Sequence, residues 1–246
     1  MRAFCCGRSL QNLHYYYIAL KPKERAVFLR LADGILDHQS EIVTTSLNRQ
    51  SVLNVLLYLK MDIPELFSYK SCTYTEGPRS MTFHMEYYFD AETHFMLLQE
   101  MEYTAEEILG NMPRDLDEYG IERYIYEYLA TNCTYDGLDL VYAHSALGPI
   151  LQKRAVCEGI SKAAKYLLDR AGVHSAVIFG GGDLGGRVNH AWNMVQLRGE
   201  WYHVDITYDL AKEKPRFHYF NLRDEKMQED HMFTPLGKEF LRIHAR

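Results

Sequence analysis

Cys157, His190 and Asp205 are the residues whose types and order in this chain could carry nucleophilic acyl chemistry. A thiol supplies the nucleophile, an imidazole takes up and returns its proton, and a carboxylate fixes the imidazole in one tautomer. Cys157 lies in Ala155-Val156-Cys157-Glu158-Gly159, just ahead of Ile160, Ala163, Ala164, Leu167, Leu168 and Ala171. That spacing marks one buried face of a helix. The cysteine is therefore expected at the first turn, where unpaired backbone N–H groups and the macrodipole favour an anion. A cysteine on a helix is otherwise a small apolar filler, so its partners decide between the two readings.

The partners come from a hairpin. His190 to Leu197 and Glu200 to Thr207 are two β-rich runs around Arg198-Gly199, and a two-residue turn there pairs Leu197 with Glu200. His190 then faces Thr207, Trp192 faces Asp205, and all four side chains share one side of the sheet. His190 and Asp205 become diagonal neighbours, roughly 7–8 Å apart at Cα. A one-residue slip would send Asp205 to the other face. His203 shares the Asp205 face and is a rival base; His190 is preferred because it follows a glycine-rich loop at the strand's start, where a cleft edge is expected.

Several elements must hold these residues in place. Lys23 to Leu36 reads as an amphipathic helix started by Pro22, and Asn48 to Lys60 as a second helix, apolar nearly all round. Tyr69 to Thr75 and Met81 to Phe89 form a hairpin with Met81, Phe83, Met85, Tyr87 and Phe89 on one face and Thr82, His84, Glu86 and Tyr88 on the other, wetter one. Glu92 to Leu109 is helical until Asn111-Met112-Pro113 breaks it. That break divides the chain into an N-terminal helical and β-hairpin region, 1–112, and a core, 113–246. In the core, Asp115 to Asn132 is a helix with Ile121, Tyr124, Ile125, Tyr128 and Leu129 on its stripe. Thr134 to Gln152 reads as loop, Val173 to Phe179 as a strand, Gly180 to Asn189 as a loop, and Phe217 to Leu222 as a further strand. Asp224 caps a short helix.

Bulk properties exclude several classes. The 246 residues carry a net charge of −6 and no basic run, which argues against a nucleic-acid partner. The longest apolar stretch, Val52 to Leu59, is too short to span a bilayer. The N-terminus lacks the apolar core and cleavage site of a secretory signal, so a cytoplasmic protein is expected. Cysteines at 5, 6, 72, 133 and 157 are odd in number with no C-x-x-C. They support neither a disulfide framework nor a thiolate metal site, and fit a reducing compartment.

The three motifs Ala155-Val156-Cys157-Glu158-Gly159, His190-Ala191-Trp192-Asn193 and Trp201-Tyr202-His203-Val204-Asp205-Ile206-Thr207 resemble the core of the transglutaminase-like superfamily, and of its bacterial members most. Met61 to Phe67 resembles a segment of their N-terminal region; Tyr219-Phe220-Asn221, Asp224 to Met227 and Asp230-His231 resemble their C-terminal segment. The resemblance implies an α+β, papain-like fold with a helix bearing the cysteine packed on an antiparallel sheet. It implies a triad of Cys157 as nucleophile, His190 as base then acid, and Asp205 orienting the imidazole. Acyl transfer from a peptide or protein amide through a thioester follows, with neither metal nor organic cofactor. The sequence departs from the family at Ile160 and at Thr207-Tyr208-Asp209, where the family often has an aromatic residue and Thr-Trp-Asp. The Cys157 N–H is one oxyanion donor; Tyr135 and Gln152 are candidates for the second. Two rivals remain: a catalytically silent interaction module on the same fold, and a metal hydrolase using His190, His203 and Asp205.

Overall fold

The computed structural model describes residues 15–182, 189–210 and 217–233. Cys5, Cys6 and residues 183–188 of the Gly-rich loop lie outside them. The chain divides into two compact units, 1–98 and 99–246.

In the first unit, α1 (Tyr15–Ala19) and α2 (Pro22–Leu36) precede β1 (Glu41–Thr45) and α3 (Arg49–Asp62). A 3₁₀ turn, Pro64–Ser68, leads to β2 (Tyr69–Glu76) and β3 (Ser80–Tyr87). Pro22 fills the first position of α2, where its missing N–H costs nothing. Asn48 caps α3, its side-chain oxygen accepting from Ser51 N at 2.9 Å. The fully buried Asp62 accepts from the Tyr16 and Tyr17 amides at the start of α1. The expected hairpin is present with Met81, Phe83 and Met85 buried, but β1 makes it a three-stranded antiparallel sheet with β3 in the centre. Nor is α3 buried all round: Leu53 and Leu57 are exposed. α4 (Ala91–Gly110) carries the chain from one unit into the other and ends ahead of Pro113.

The second unit positions the candidate residues. α5 (Glu118–Asn132), capped by Asp117, is followed by β4 (Thr134–Tyr135), α6 (Leu140–Ala143) and a π turn at Gly148–Gln152. Next come β5 (Arg154–Ala155), α7 (Cys157–Ala171), β6 (Ser175–Gly181), β7 (Asn189–Leu197) and β8 (Glu200–Val204). α8 (Ile206–Leu210), α9 (Asp224–Met227) and β9 (Met232–Phe233) complete it. The sheet is antiparallel in the order β8-β7-β6-β9, and β4 runs parallel to β5. α7 packs on β6 and β7 through its expected stripe, with Ile160, Ala163, Ala164, Leu167 and Leu168 buried.

The β7–β8 register is the expected one from Leu197–Glu200 to Asn193–Val204, but the pairing stops there: the Asp205 N–H donates to Tyr219 O and Ile206–Leu210 is helical, so the expected Trp192–Asp205 and His190–Thr207 pairs are not formed. Arg198 and Gly199 both take positive φ, 52° and 85°, which is what a two-residue turn between right-twisted strands demands.

Three expectations are corrected. Residues 134–152 are not simply loop: Ala146, Leu147 and Ile150 are fully buried, because this segment covers the start of α7. Residues 217–222 form turns touching β8 only through the His203–Leu222 bridge. On α5 the inward stripe is rotated: Glu122 and Tyr126 are buried beside Ile125 and Leu129, whereas Ile121, Tyr124 and Tyr128 are half-exposed. Their partners lie far along the chain. Tyr126 donates to Asp209, and Asn221 Nδ2 donates to Glu122 Oε2 at 2.9 Å.

Burial pushes the Glu122 carboxyl up to about 8, against a weaker opposing hydrogen bond from Asn221. The unfolded chain gives up that proton first, so stability falls as pH rises from the ordinary carboxylate range to about 8 and is flat above. Glu122→Gln is expected to abolish this fall and to stabilise the second unit at pH 8 by on the order of 3 kcal/mol. Urea unfolding of both proteins at pH 5 and pH 8 checks it; an equal pH dependence in the two would contradict it.

Candidate active site

Cys157 is the first residue of α7, as its motif implied. Val156 is extended ahead of it and makes no side-chain cap, so the N–H groups of the first turn are not taken by a capping side chain. The segment before the helix lies against this turn. A Cβ on Gly159 would sit 2.3 Å from Ala143 O and 2.9 Å from Ser145 O, so only glycine admits this approach. Cys157 itself is half-buried. Cys72 and Cys133 differ from it: burial pushes both of their thiols up, Cys133 to about 11, which keeps them protonated and inert.

His190 is the second residue of β7, only 5% exposed, with its Nε2 2.5 Å from Asp205 Oδ2. Cys157 lies close enough to the ring to act on its ionisation. Burial by itself would lower its pKa; the hydrogen bond to Asp205 and the nearness of Cys157 outweigh that and push it up to about 9. The ring is held between Tyr208 and Trp192, at centroid distances of 4.8 and 5.9 Å. His190 and Asp205 thus meet, although Asp205 lies just past the end of β8 and not across from β7 in the ladder.

Asp205 follows the end of β8 and is fully buried. Burial would raise its carboxyl; hydrogen bonds to His190 and His231 overcome this and hold it below the ordinary range. Oδ1 accepts from the Tyr208 backbone N–H at 3.1 Å. Tyr208, one of the two places where the sequence departs from the family, thus packs at a tilt against His190 and ties down Asp205 through its backbone N–H, and its hydroxyl donates to Gly182 O.

His203 is no rival base. Its Nδ1 accepts from Trp192 Nε1 at 3.0 Å, and its Nε2 lies 3.1 Å from Asp224 Oδ1, so both nitrogens are spent away from Asp205. Of the two oxyanion candidates, Gln152 accepts from Arg154 Nε at 3.3 Å. Tyr135 instead comes near Cys157: the parallel β4–β5 pair sets it opposite Ala155, and its hydroxyl is close enough to the Cys157 thiol and backbone N–H for both to act on its ionisation.

The place beside Asp205 is taken by His231, for which the sequence suggested no role. Its Nε2 is 3.0 Å from Asp205 Oδ2, the oxygen that also meets His190. His231 stands alone ahead of a two-residue strand, so no periodicity marked it. His190, Asp205 and His231 offer three donor atoms within 4.8 Å of one another. Their 2.5 and 3.0 Å separations are hydrogen-bond distances. Zinc at ~2.0–2.1 Å from each ligand in a tetrahedron would hold them roughly 3.3 Å apart. The cluster fits protons better than a metal ion.

Residues 104–206 match the family model of the transglutaminase-like superfamily. No curated protein is significantly similar in sequence. Among solved structures, the chain is similar to a TGase at 14% identity and a TM-score of 0.42, over 80% of this chain and 56% of that one. It is similar to a candidate cysteine protease from Cytophaga hutchinsonii at 14% identity and a TM-score of 0.36, over 56% of this chain and 61% of the other. A candidate protease from Parabacteroides distasonis aligns at 8% identity and a TM-score of 0.34, over 55% and 35%. The chain spans less than two thirds of each. Among the described residues no helix is long and apolar enough to cross a membrane. The chain, with its mixed helices and antiparallel sheet, is thus similar over residues 104–206 to the transglutaminase-like superfamily.

Proposed function

We propose that the protein is a cysteine-dependent acyl-transfer enzyme acting on amide bonds of peptides or proteins, with hydrolysis as its main outcome. The observation that carries this reading is the single line of contacts from Cys157 through His190 to Asp205. Cys157 attacks the amide carbon as a thiolate, and His190, protonated, gives its proton to the departing amine. The thioester is then cleaved by water that His190 deprotonates. The oxyanion of both steps is received by the Cys157 N–H and the Tyr135 hydroxyl, which lie close together. Water is the acyl acceptor because it is present in excess; an amine in its place would give cross-linking from the same thioester. No metal or organic cofactor enters any step.

The experiment is to trap the acyl-enzyme from a peptide library and find the mass increment on the Cys157 peptide. Tyr135→Phe should slow its appearance about 100-fold, the usual effect of losing one oxyanion donor. Acylation that never maps to Cys157 would defeat the reading. One observation favours a second: the Tyr135 hydroxyl lies close to the Cys157 N–H and thiol, where it could block the site. If it never leaves, the domain is a silent interaction module, and Cys157 will not be acylated.

A further inference from the structure

His231 is 1% exposed and has a carboxylate oxygen at each ring nitrogen: Asp205 Oδ2 at 3.0 Å from Nε2 and Asp230 Oδ1 at 2.7 Å from Nδ1. Carboxylates only accept hydrogen bonds, so both nitrogens must donate, and a ring that donates twice is an imidazolium. The arrangement is built rather than incidental. Asp230, at the exposed end, is itself fixed by the Tyr219 hydroxyl. Trp192 closes one face of His231 edge-on at 5.1 Å, and Tyr208 covers it at 4.5 Å. Titratable groups face the ring from every side: Asp205, Asp230, His190 from β7, Tyr208 from α8, Tyr219 from the 217–222 turns and His203 from β8.

We propose that His231 is a positioning residue for the Cys157–His190–Asp205 set: held as an imidazolium between Asp205 and Asp230, it fixes the carboxylate that orients His190 and limits how firmly His190 keeps its proton. Asp205 Oδ2 accepts from both histidines, so the carboxylate cannot rotate without losing one of them. The two rings lie 5.4 Å apart, and a positive charge at that distance opposes a second one on His190. The consequence for catalysis rests on the acyl-transfer reading; the electrostatic coupling does not.

The test is a pH titration of ¹⁵N-histidine side chains by NMR in the full chain and in His231→Gln, which keeps a donor toward Asp205 but removes the charge. The wild-type His231 ring is expected to carry protons on both nitrogens through the neutral range. The His190 midpoint is expected to rise by about one pH unit in the variant. An unchanged midpoint, or a bare nitrogen on wild-type His231 at pH 7, overturns the inference. Should His231→Gln fail to fold, Asp230→Asn changes a half-exposed carboxylate instead. The His190 midpoint should then rise as expected for His231→Gln, and an unchanged midpoint overturns the inference. A moved His190 midpoint with an unreactive Cys157 would uphold His231's coupling while sinking the enzymatic reading, so the two failures are distinct.

Discussion

Cys157→Ala is expected to lower amide-bond turnover by a factor on the order of 10⁵ while leaving the fold intact. The size follows from the unit that the contacts describe: once the nucleophile is gone, His190 and Asp205 have nothing to activate, and what remains is substrate binding and oxyanion stabilisation. The fold should survive because the thiol is half-buried at the first turn of α7, and the helix is held instead by Ile160, Ala163, Ala164, Leu167 and Leu168. Turnover of a cleaved peptide, with circular dichroism as the control for folding, reads both. Activity within tenfold of wild type would exclude the thioester route.

Asp205→Ala should be worse for the protein as a whole. Three donors lose their acceptor at once: His190 Nε2, His231 Nε2 and the Tyr208 N–H. Breaking a buried charged pair by removing one partner costs about 3–5 kcal/mol, and turnover should fall about 10⁴-fold as His190 loses its orientation. Asp205→Asn is the informative milder change. One carbonyl oxygen can meet the two histidines, but the amide nitrogen then confronts the Tyr208 N–H, so some stability and activity should return without reaching wild type. The carboxyl sits below its ordinary range when folded. Its contribution is therefore present at neutral pH and lost as pH falls through the acid range, and acid unfolding should be less steep in the alanine variant. Denaturant melts at pH 2 and pH 7 read this; equal stabilities of wild type and Asp205→Ala at pH 7 would contradict it.

The parts of this arrangement that were legible in the sequence are those set by local spacing. Arg198-Gly199 dictates a two-residue turn, the turn dictates the register, and the register carries β8 toward His190, where Asp205, just past the strand's end, meets the ring. The stripe from Ile160 to Leu168 likewise places Cys157 at a helix start. What escaped was set by distant partners. Glu122 points inward because Asn221 meets it from 99 residues away, and no helical period can reveal that. β1 is five residues long with a short apolar pattern, and is a strand only because β3 offers it an edge. Residues 134–152 read as loop because their turns are short; their burial comes from covering α7, and this brings Tyr135 to Cys157. His231 is the sharpest case. Its meaning lies wholly in two carboxylates, one adjacent in sequence and one 26 residues back.

Iodoacetamide labelling of the native protein at pH 6, mapped by mass to each cysteine peptide, tests the central claim most directly. An ionised Cys157 beside a protonated His190 should label much faster than a free thiol does at that pH, and His190→Ala should remove the advantage. Cys72 and Cys133, whose thiols burial pushes up, should stay unlabelled over the same time. A Cys157 that reacts no faster than a free thiol at pH 6 would contradict the account.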